Sequence, residues 1–411
     1  MVSPFQPDAD KLAAIRDAIP SLRAGIYLNT GTAGPIPAET AAAMAEMAAW
    51  ERDTGRAHVD SFPEALQRMA EARAGVAAIM GTDVSSVALT HATTDGMNAA
   101  TLGLDWQPGD RVVTTRSEHP GGIGPLYALQ ARGLAEIAFV DAGADGDDGR
   151  TLAAFDAAIA PGTRLVSLSH VTWTTGAVLP VAAIAEIAHA RGALVLVDGA
   201  QAAGAIPVRF DDLGVDMYAV PAQKWLLGPE GMGALIVGPR ALELTPALAG
   251  WFSFERVDGQ GTADRWPDAR RFESSNFHRP SVVGMARSIG WLSMFVGLDF
   301  VHGRGMAMAR RAADRLATIP GVTVVTPRGR MATLISFRIA GWTAGAALDE
   351  LGKRVFAIAR TVVSLDAIRI SVGFFTSDEE LERFCVAVEL LAAHTPATLP
   401  PRQTLPILGE S

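Results

Sequence analysis

Lysine is almost missing from this chain. Lys and Arg together number 35, yet only Lys11, Lys224 and Lys353 are lysines, so nearly every positive charge that merely faces water is an arginine. Cysteine occurs once, as Cys385, which excludes an intrachain disulfide and makes a reducing cytoplasm the simplest setting. A net charge of −9 leaves no basic excess for phosphate backbones, so nucleic acid is not expected as a partner. No uncharged apolar run reaches the roughly eighteen residues of a membrane helix. The acidic, Pro-containing start MVSPFQPDADK lacks a signal-peptide pattern. The expectation is a cytoplasmic protein that neither enters a membrane nor binds nucleic acid.

What is present is material for a large core. The chain has 411 residues, 49% hydrophobic and 19% charged, more than one core usually supports, so two domains are expected. From about residue 85 to 240, short β-branched runs (RVVTT, IAFVD, RLVSLSHV, ALVLVDGA, GALIVG) alternate with Ala-rich helical runs. That is the pattern of a mostly parallel sheet covered on both faces, whose ligands bind beyond the carboxyl ends of the strands. After about residue 285, one long helical stretch from Val282 to about Ala317 leads into VTVVTP, LISFRI and AIRISVGF. This reads as a smaller α+β domain with a largely antiparallel sheet. In EELERFCVAVELL, Leu381, Phe384, Cys385 and Val388 share one helical face, which makes Cys385 a core thiol. The acidic run DAGADGDDGR lacks EF-hand spacing and reads as a solvated loop. The eight histidines show no metal-ligand spacing, so no metal is expected.

Three features sit just past predicted strands. Asp198 ends LVLVD, where a carboxylate either caps a following helix or needs a cationic partner, because burying it alone costs several kcal/mol. Lys224, in PAQKWLLGPEGMG, follows MYAV and is the lysine whose setting asks for a reason; Lys11 and Lys353 lie in polar helical stretches that need none. THATTDGMNAATLGL opens a helix with Thr93, Thr94 and Asp95, either as simple caps or as an anion site built from hydroxyls and free N–H groups. Together they fit pyridoxal phosphate, which needs a lysine for its aldehyde, a carboxylate for its ring nitrogen and a cradle for its phosphate. Arginine cannot form the Schiff base, having no accessible neutral amine. No dinucleotide fingerprint, phosphate-loop lysine or nucleophile elbow competes.

In these motifs the chain resembles the class V aminotransferases, fold-type I pyridoxal phosphate enzymes that include cysteine desulfurases, C–S lyases and isopenicillin N epimerase-like proteins. The resemblance runs from IYLNTGTAGPIP to IRISVGFFTSDEELERF. It implies a large cofactor-binding domain at residues 26–285 and a small domain from residues 1–25 and 286–396, with the helix ADKLAAIRDAI packed on the latter and an irregular tail at 397–411. It implies that Lys224 carries the cofactor, Asp198 faces the ring nitrogen, Gln201 bonds the ring oxygen and His119 of SEHP stacks on the ring. Thr93, Thr94 and Gln223 would hold the phosphate, Arg369 of IRIS the substrate carboxylate, and Arg360 would line the substrate side. A homodimer with shared active sites is also implied, with Ser275 or Asn276 of FESSNF reaching the partner's phosphate.

The chain departs from the family at Pro221, where a serine is usual, and at Trp173, which stands where an asparagine usually touches the cofactor. Leu365 is nearest to the position of the persulfide cysteine of desulfurases, so sulfur transfer through a protein persulfide is not expected. The readings are a β-lyase on cysteine-like amino acids first, then an aminotransferase using a 2-oxo acid, then an epimerase. A catalytically inactive regulatory homologue is the non-enzyme alternative, and the intact Lys224, Asp198 and Arg369 argue against it.

Overall fold

The structure, a computed structural model, describes residues 8–143 and 146–402. A short strand, β1 (Ile26–Tyr27), precedes a seven-stranded sheet made of β2 (Val87–Thr90), β3 (Asp110–Thr115), β4 (Ala135–Val140), β5 (Thr163–Ser169), β6 (Leu194–Asp198), β7 (Met217–Pro221) and β8 (Gly233–Val237). Their order is β2-β8-β7-β6-β5-β3-β4. The pairings from β7 to β4 are parallel, and β8 alone runs against its neighbours. Both faces are apolar. Val195 and Val197 pack into one core cluster while Leu196 between them packs into another on the opposite face, as the two-residue period of a strand requires.

A solvent-side hairpin, β9 (Phe254–Val257) and β10 (Ala263–Arg265), follows. The second large sheet contains β11 (Val322–Val324), β12 (Leu334–Ile339), β14 (Arg360–Val362) and β15 (Ala367–Ser371), all antiparallel in the order β11-β12-β15-β14. Its core includes Phe337, Leu351, Phe384 and Cys385. One extra pairing ties the two regions: β1 runs parallel to β13 (Ala357–Ile358), and Ile26 and Leu28 pack into the core of this second sheet. No single helix among the described residues is long and apolar enough to cross a membrane.

The N-terminal helix Asp8–Asp17 contacts the C-terminal part of the chain. Arg16 forks onto Glu380 at 2.6 and 2.7 Å, and Ile15 and Ile19 pack with Phe374 and Phe375. Two expectations are corrected. The helical stretch from Val282 to Ala317 is not continuous: the helix Arg279–Gly290 and a π-helical turn to Val296 end at Gly297, whose φ of 90° suits glycine, and Leu298–Ala317 departs at 85°. Lys11 is not an ordinary surface charge either, being 4% exposed with its ammonium over the Phe300 ring. The acidic loop supplies Asp147 as cap of the helix Asp148–Ala158. Residues 397–402 form no regular element, and 403–411 of the expected tail lie outside the described residues.

One buried ion pair fastens the segment after β10 to the sheet edge. Glu273 accepts from Arg73 at 2.7 and 2.9 Å and from the Leu89 N–H of β2 at 2.9 Å. Glu273→Ala leaves a buried guanidinium and an N–H without partners, so it should destabilise the fold by about 3–5 kcal/mol. Chemical denaturation of the variant checks this, and a loss under ~1 kcal/mol would mean the pair is dispensable.

Candidate active site

Loops at the carboxyl ends of β2, β3, β5, β6 and β7 meet the arginines of β14 and β15 around a cavity of about 230 Å³. The reversal from β7 to β8 keeps the connecting loop at this edge of the sheet, because strands joined by a short loop must run antiparallel. Lys224 sits on that loop. The turn behind it closes through Leu227 N–H to Lys224 O at 3.2 Å and Gly228 N–H to Ala222 O at 2.9 Å, with buried Leu227 at a φ of 54°. A left-handed conformation costs a leucine about 1–2 kcal/mol and persists only where packing imposes it. Gly34 donates to Gln223 O at 2.6 Å, and a Cβ on Gly34 would lie 2.1 Å from Lys224 O, so glycine alone fits. Burial pulls the Lys224 ammonium down to about 8; Arg369 and Arg360 add to the depression while Asp198 opposes it.

Asp198, 5% exposed, shares the cavity wall with Lys224. It caps no helix, because turns follow it. Its Oδ1 accepts from Ala200 N–H at 2.9 Å, and its Oδ2 faces Gly122. Gln201 is held at both ends, donating to Gly31 O at 2.8 Å and accepting from Trp225 Nε1–H at 3.0 Å.

The helix Thr93–Leu102 begins with Ala92 as its cap and no side-chain capping bond. Simple capping is therefore not what Thr93 and Thr94 do. Thr93 Oγ1 and Gln223 Oε1 are buried without partners, and both residues line the cavity beside the helix's first N–H groups. A Cβ on Gly121 would stand 2.4 Å from Thr94 Oγ1, so glycine also leaves room here.

His119 starts the helix Pro120–Ala131 and accepts from Gly121 N–H at Nδ1, 3.0 Å, which leaves Nε2 as its free nitrogen. Burial first, then Lys224, lowers its pKa, so the ring is neutral at physiological pH. Trp173 stands edge-on to it at 5.4 Å between centroids.

Arg360 and Arg369 are Cα partners across the β14–β15 ladder, which brings both guanidinium groups to one wall. Arg369 is fully buried, donates to Trp173 O at 2.7 Å and keeps an unpartnered Nε. Burial, with Arg360 adding to it, lowers it to about 9, still charged at neutral pH. The Arg360 guanidinium lies 5.4 Å from the Trp173 ring centroid.

Two residues escaped sequence reasoning. The Thr32 hydroxyl donates to Asn29 Oδ1 at 2.8 Å and lies 3.5 Å from Nη atoms of both arginines; its signal was a hydroxyl inside the Gly-rich NTGTAG. Glu118, next to His119 in SEHP, binds the Thr115 and Ser169 hydroxyls. Other predicted residues stay apart. Ser275 and Asn276 are exposed on a loop outside the cavity, and Pro221 ends β7 without lining it. Cys385 is fully buried in the core of the second sheet, where burial pushes its thiol up to about 12.

The profile of the aminotransferase class V family matches residues 26–384. The chain belongs to that family. Its class V relatives include isopenicillin N epimerase of Streptomyces clavuligerus, 32% identical over 391 residues that cover 89% of this chain and 94% of the epimerase. A probable cysteine desulfurase of Methanothermobacter thermautotrophicus is 30% identical over 329 residues, covering 79% of this chain and 80% of that one. Among solved structures, a C-DES mutant with glycine covalently linked to the PLP cofactor superposes with a TM-score of 0.86 at 28% identity, covering 91% of this chain and 98% of the other. A complex of the cystine C–S lyase C-DES with cysteine persulfide gives a TM-score of 0.84, also at 28% identity, over 90% and 99% of the two chains.

Competitive acylation of the apoprotein as a function of pH, read by peptide mass spectrometry, should give a midpoint near pH 8 for Lys224. Asp198→Asn should shift it lower still, because the carboxylate is what holds the ammonium up. A midpoint near the ordinary lysine value of about 10.4 contradicts the burial described here.

Proposed function

We propose that this class V enzyme uses pyridoxal phosphate to cleave a C–S bond of a cysteine-like α-amino acid by β-elimination. One observation carries the cofactor reading: a buried amine whose charge is disfavoured and a buried carboxylate face the same cavity, beside a buried hydroxyl and a helix N-terminus suited to an anion. When bound, the cofactor supplies an aldehyde for amines and a ring that withdraws electrons from the carbon bearing the amino group. The chain's own residues do the rest. Lys224, neutral for part of its titration, takes the proton from the substrate's Cα. Asp198 would keep the proton on the ring nitrogen, and Gln201 has one amide hydrogen left for the ring oxygen. Thr93, Thr94, Gln223 and the helix N-terminus would hold the phosphate. Arg369 grips the α-carboxylate through a guanidinium already oriented by Trp173 O, with Arg360 on the same wall.

Support for the lyase reading comes from His119, whose free Nε2–H can donate a hydrogen bond to a departing sulfur. The cavity-lining residues include no thiol, and Cys385 lies in another core with a strongly disfavoured thiolate, which argues against a protein persulfide. Epimerisation is the second reading, favoured by the nearly full-length likeness to isopenicillin N epimerase; amino-group transfer to a 2-oxo acid is the third. A homodimer fits the exposed stack of Phe62 and Trp251 at 5.2 Å and the exposed Ser275 and Asn276. A cytoplasmic location fits the single cysteine.

The purified protein should be yellow, and borohydride should fix the cofactor on Lys224; a protein that takes up no pyridoxal phosphate overturns the cofactor reading. Cysteine or cystine should then release pyruvate, ammonia and a sulfur product without any added 2-oxo acid. Amino-group transfer that requires a 2-oxo acid, or inversion at Cα without bond cleavage, overturns the lyase reading. Arg369→Ala should raise KM for amino acids about a hundredfold, from the loss of a charge-assisted pair, while leaving simple amines unaffected; equal effects dismiss its carboxylate role.

A further inference from the structure

Three strand ends, β3, β5 and β6, lie side by side in the sheet and finish at Thr115, Ser169 and Asp198. Ser169 and Asp198 are Cα partners across the β5–β6 ladder. The half-buried Glu118 side chain reaches over these ends, its Oε1 accepting from Thr115 Oγ1 at 2.5 Å and its Oε2 from Ser169 Oγ at 2.6 Å. The β5–β6 ladder runs through to Ser169 and Asp198 by its backbone pairing. Among the described residues Glu118 has these two hydroxyl donors and no ion-pair partner.

We propose that Glu118 is a second carboxylate of the cofactor site, a positioning residue that acts through Asp198 on the protonated ring nitrogen. The inference rests on the pyridoxal phosphate reading. The charge that acts on Glu118 is that of Asp198 from β6, while β3 and β5 contribute neutral hydroxyls. Burial above all, with Asp198 adding to it and the hydroxyls of Ser169 and Thr115 opposing it, raises the Glu118 carboxyl to about 7. Two neighbouring acids titrate as a pair and resist double ionisation. A cationic ring nitrogen beside Asp198 removes that resistance. Glu118 then gives up its proton, and the resulting carboxylate stabilises the ring cation in turn. Below the Glu118 titration the group is neutral and contributes nothing; above it, the group strengthens binding of any ligand whose ring nitrogen is protonated.

The test is equilibrium binding of pyridoxal phosphate, and of its 1-deaza analogue without a ring nitrogen, to wild-type and Glu118→Gln apoprotein between pH 6 and 8. Glutamine retains the shape and an acceptor for one hydroxyl. For pyridoxal phosphate, Kd of the variant over Kd of wild type should climb from about one at pH 6 to about ten at pH 8, the scale of a nearby charge at intermediate dielectric. For the analogue the ratio should stay near one throughout. Equal losses for both ligands, or a ratio that ignores pH, overturn the proposal. If wild type binds neither ligand, the cofactor reading itself fails, and the two failures are thereby distinct. Should Glu118→Gln not fold, Ser169→Ala serves instead: loss of that hydroxyl raises the Glu118 titration, so the pH-dependent gain in wild-type-like affinity should move to higher pH, and an unmoved profile overturns the proposal.

Discussion

The site depends on an ammonium held where its charge is disfavoured. Lys224 loses water by burial and faces two guanidinium groups, and Asp198 is the one carboxylate lining the same cavity to oppose this. That imbalance makes a neutral amine accessible near physiological pH, the precondition for condensation with an aldehyde. The surrounding architecture serves this conflict. The β7–β8 reversal presents Lys224, the glycine at 34 lets another loop press on its carbonyl, and Leu227 accepts a left-handed backbone to keep the turn closed.

The remaining charges follow from the same geometry. Arg360 and Arg369 lie opposite each other on adjacent strands and both act to lower Lys224 and His119, while Thr32 lies 3.5 Å from an Nη atom of each. Two unpartnered buried donors, the Thr93 hydroxyl and Arg369 Nε–H, face this cavity. Buried polar groups without partners are costly, and here anions from cofactor and substrate would satisfy them. The cavity is thus too positive and too open in hydrogen bonding to be an end in itself.

Much of this was legible from residues alone. Continuous apolar runs gave the large sheet, and the position of Lys224 after an apolar strand pointed to chemistry. Its rarity was a weaker guide, since Lys11 is equally rare and turns out to be buried under Phe300. Hidden from the sequence were relations that only pairing creates. Arg360 and Arg369 are nine positions apart, yet their direct opposition exists only once β14 and β15 form a ladder. Glu118 looked like a flank of His119 until three strand ends converged beneath it. The 85° bend sits at Gly297, whose φ of 90° a single glycine in an otherwise helical pattern did not announce.

The central claim is that Asp198 and Lys224 act on the two ends of one cofactor ring system. Pyridoxal phosphate labelled with ¹⁵N in its ring, bound to the protein, tests this by NMR. The ring nitrogen should show the chemical shift of a protonated pyridine throughout pH 6 to 9 in wild type and lose it in Asp198→Ala. A ring nitrogen that titrates like the free cofactor, unaffected by loss of the carboxylate at 198, would contradict the account.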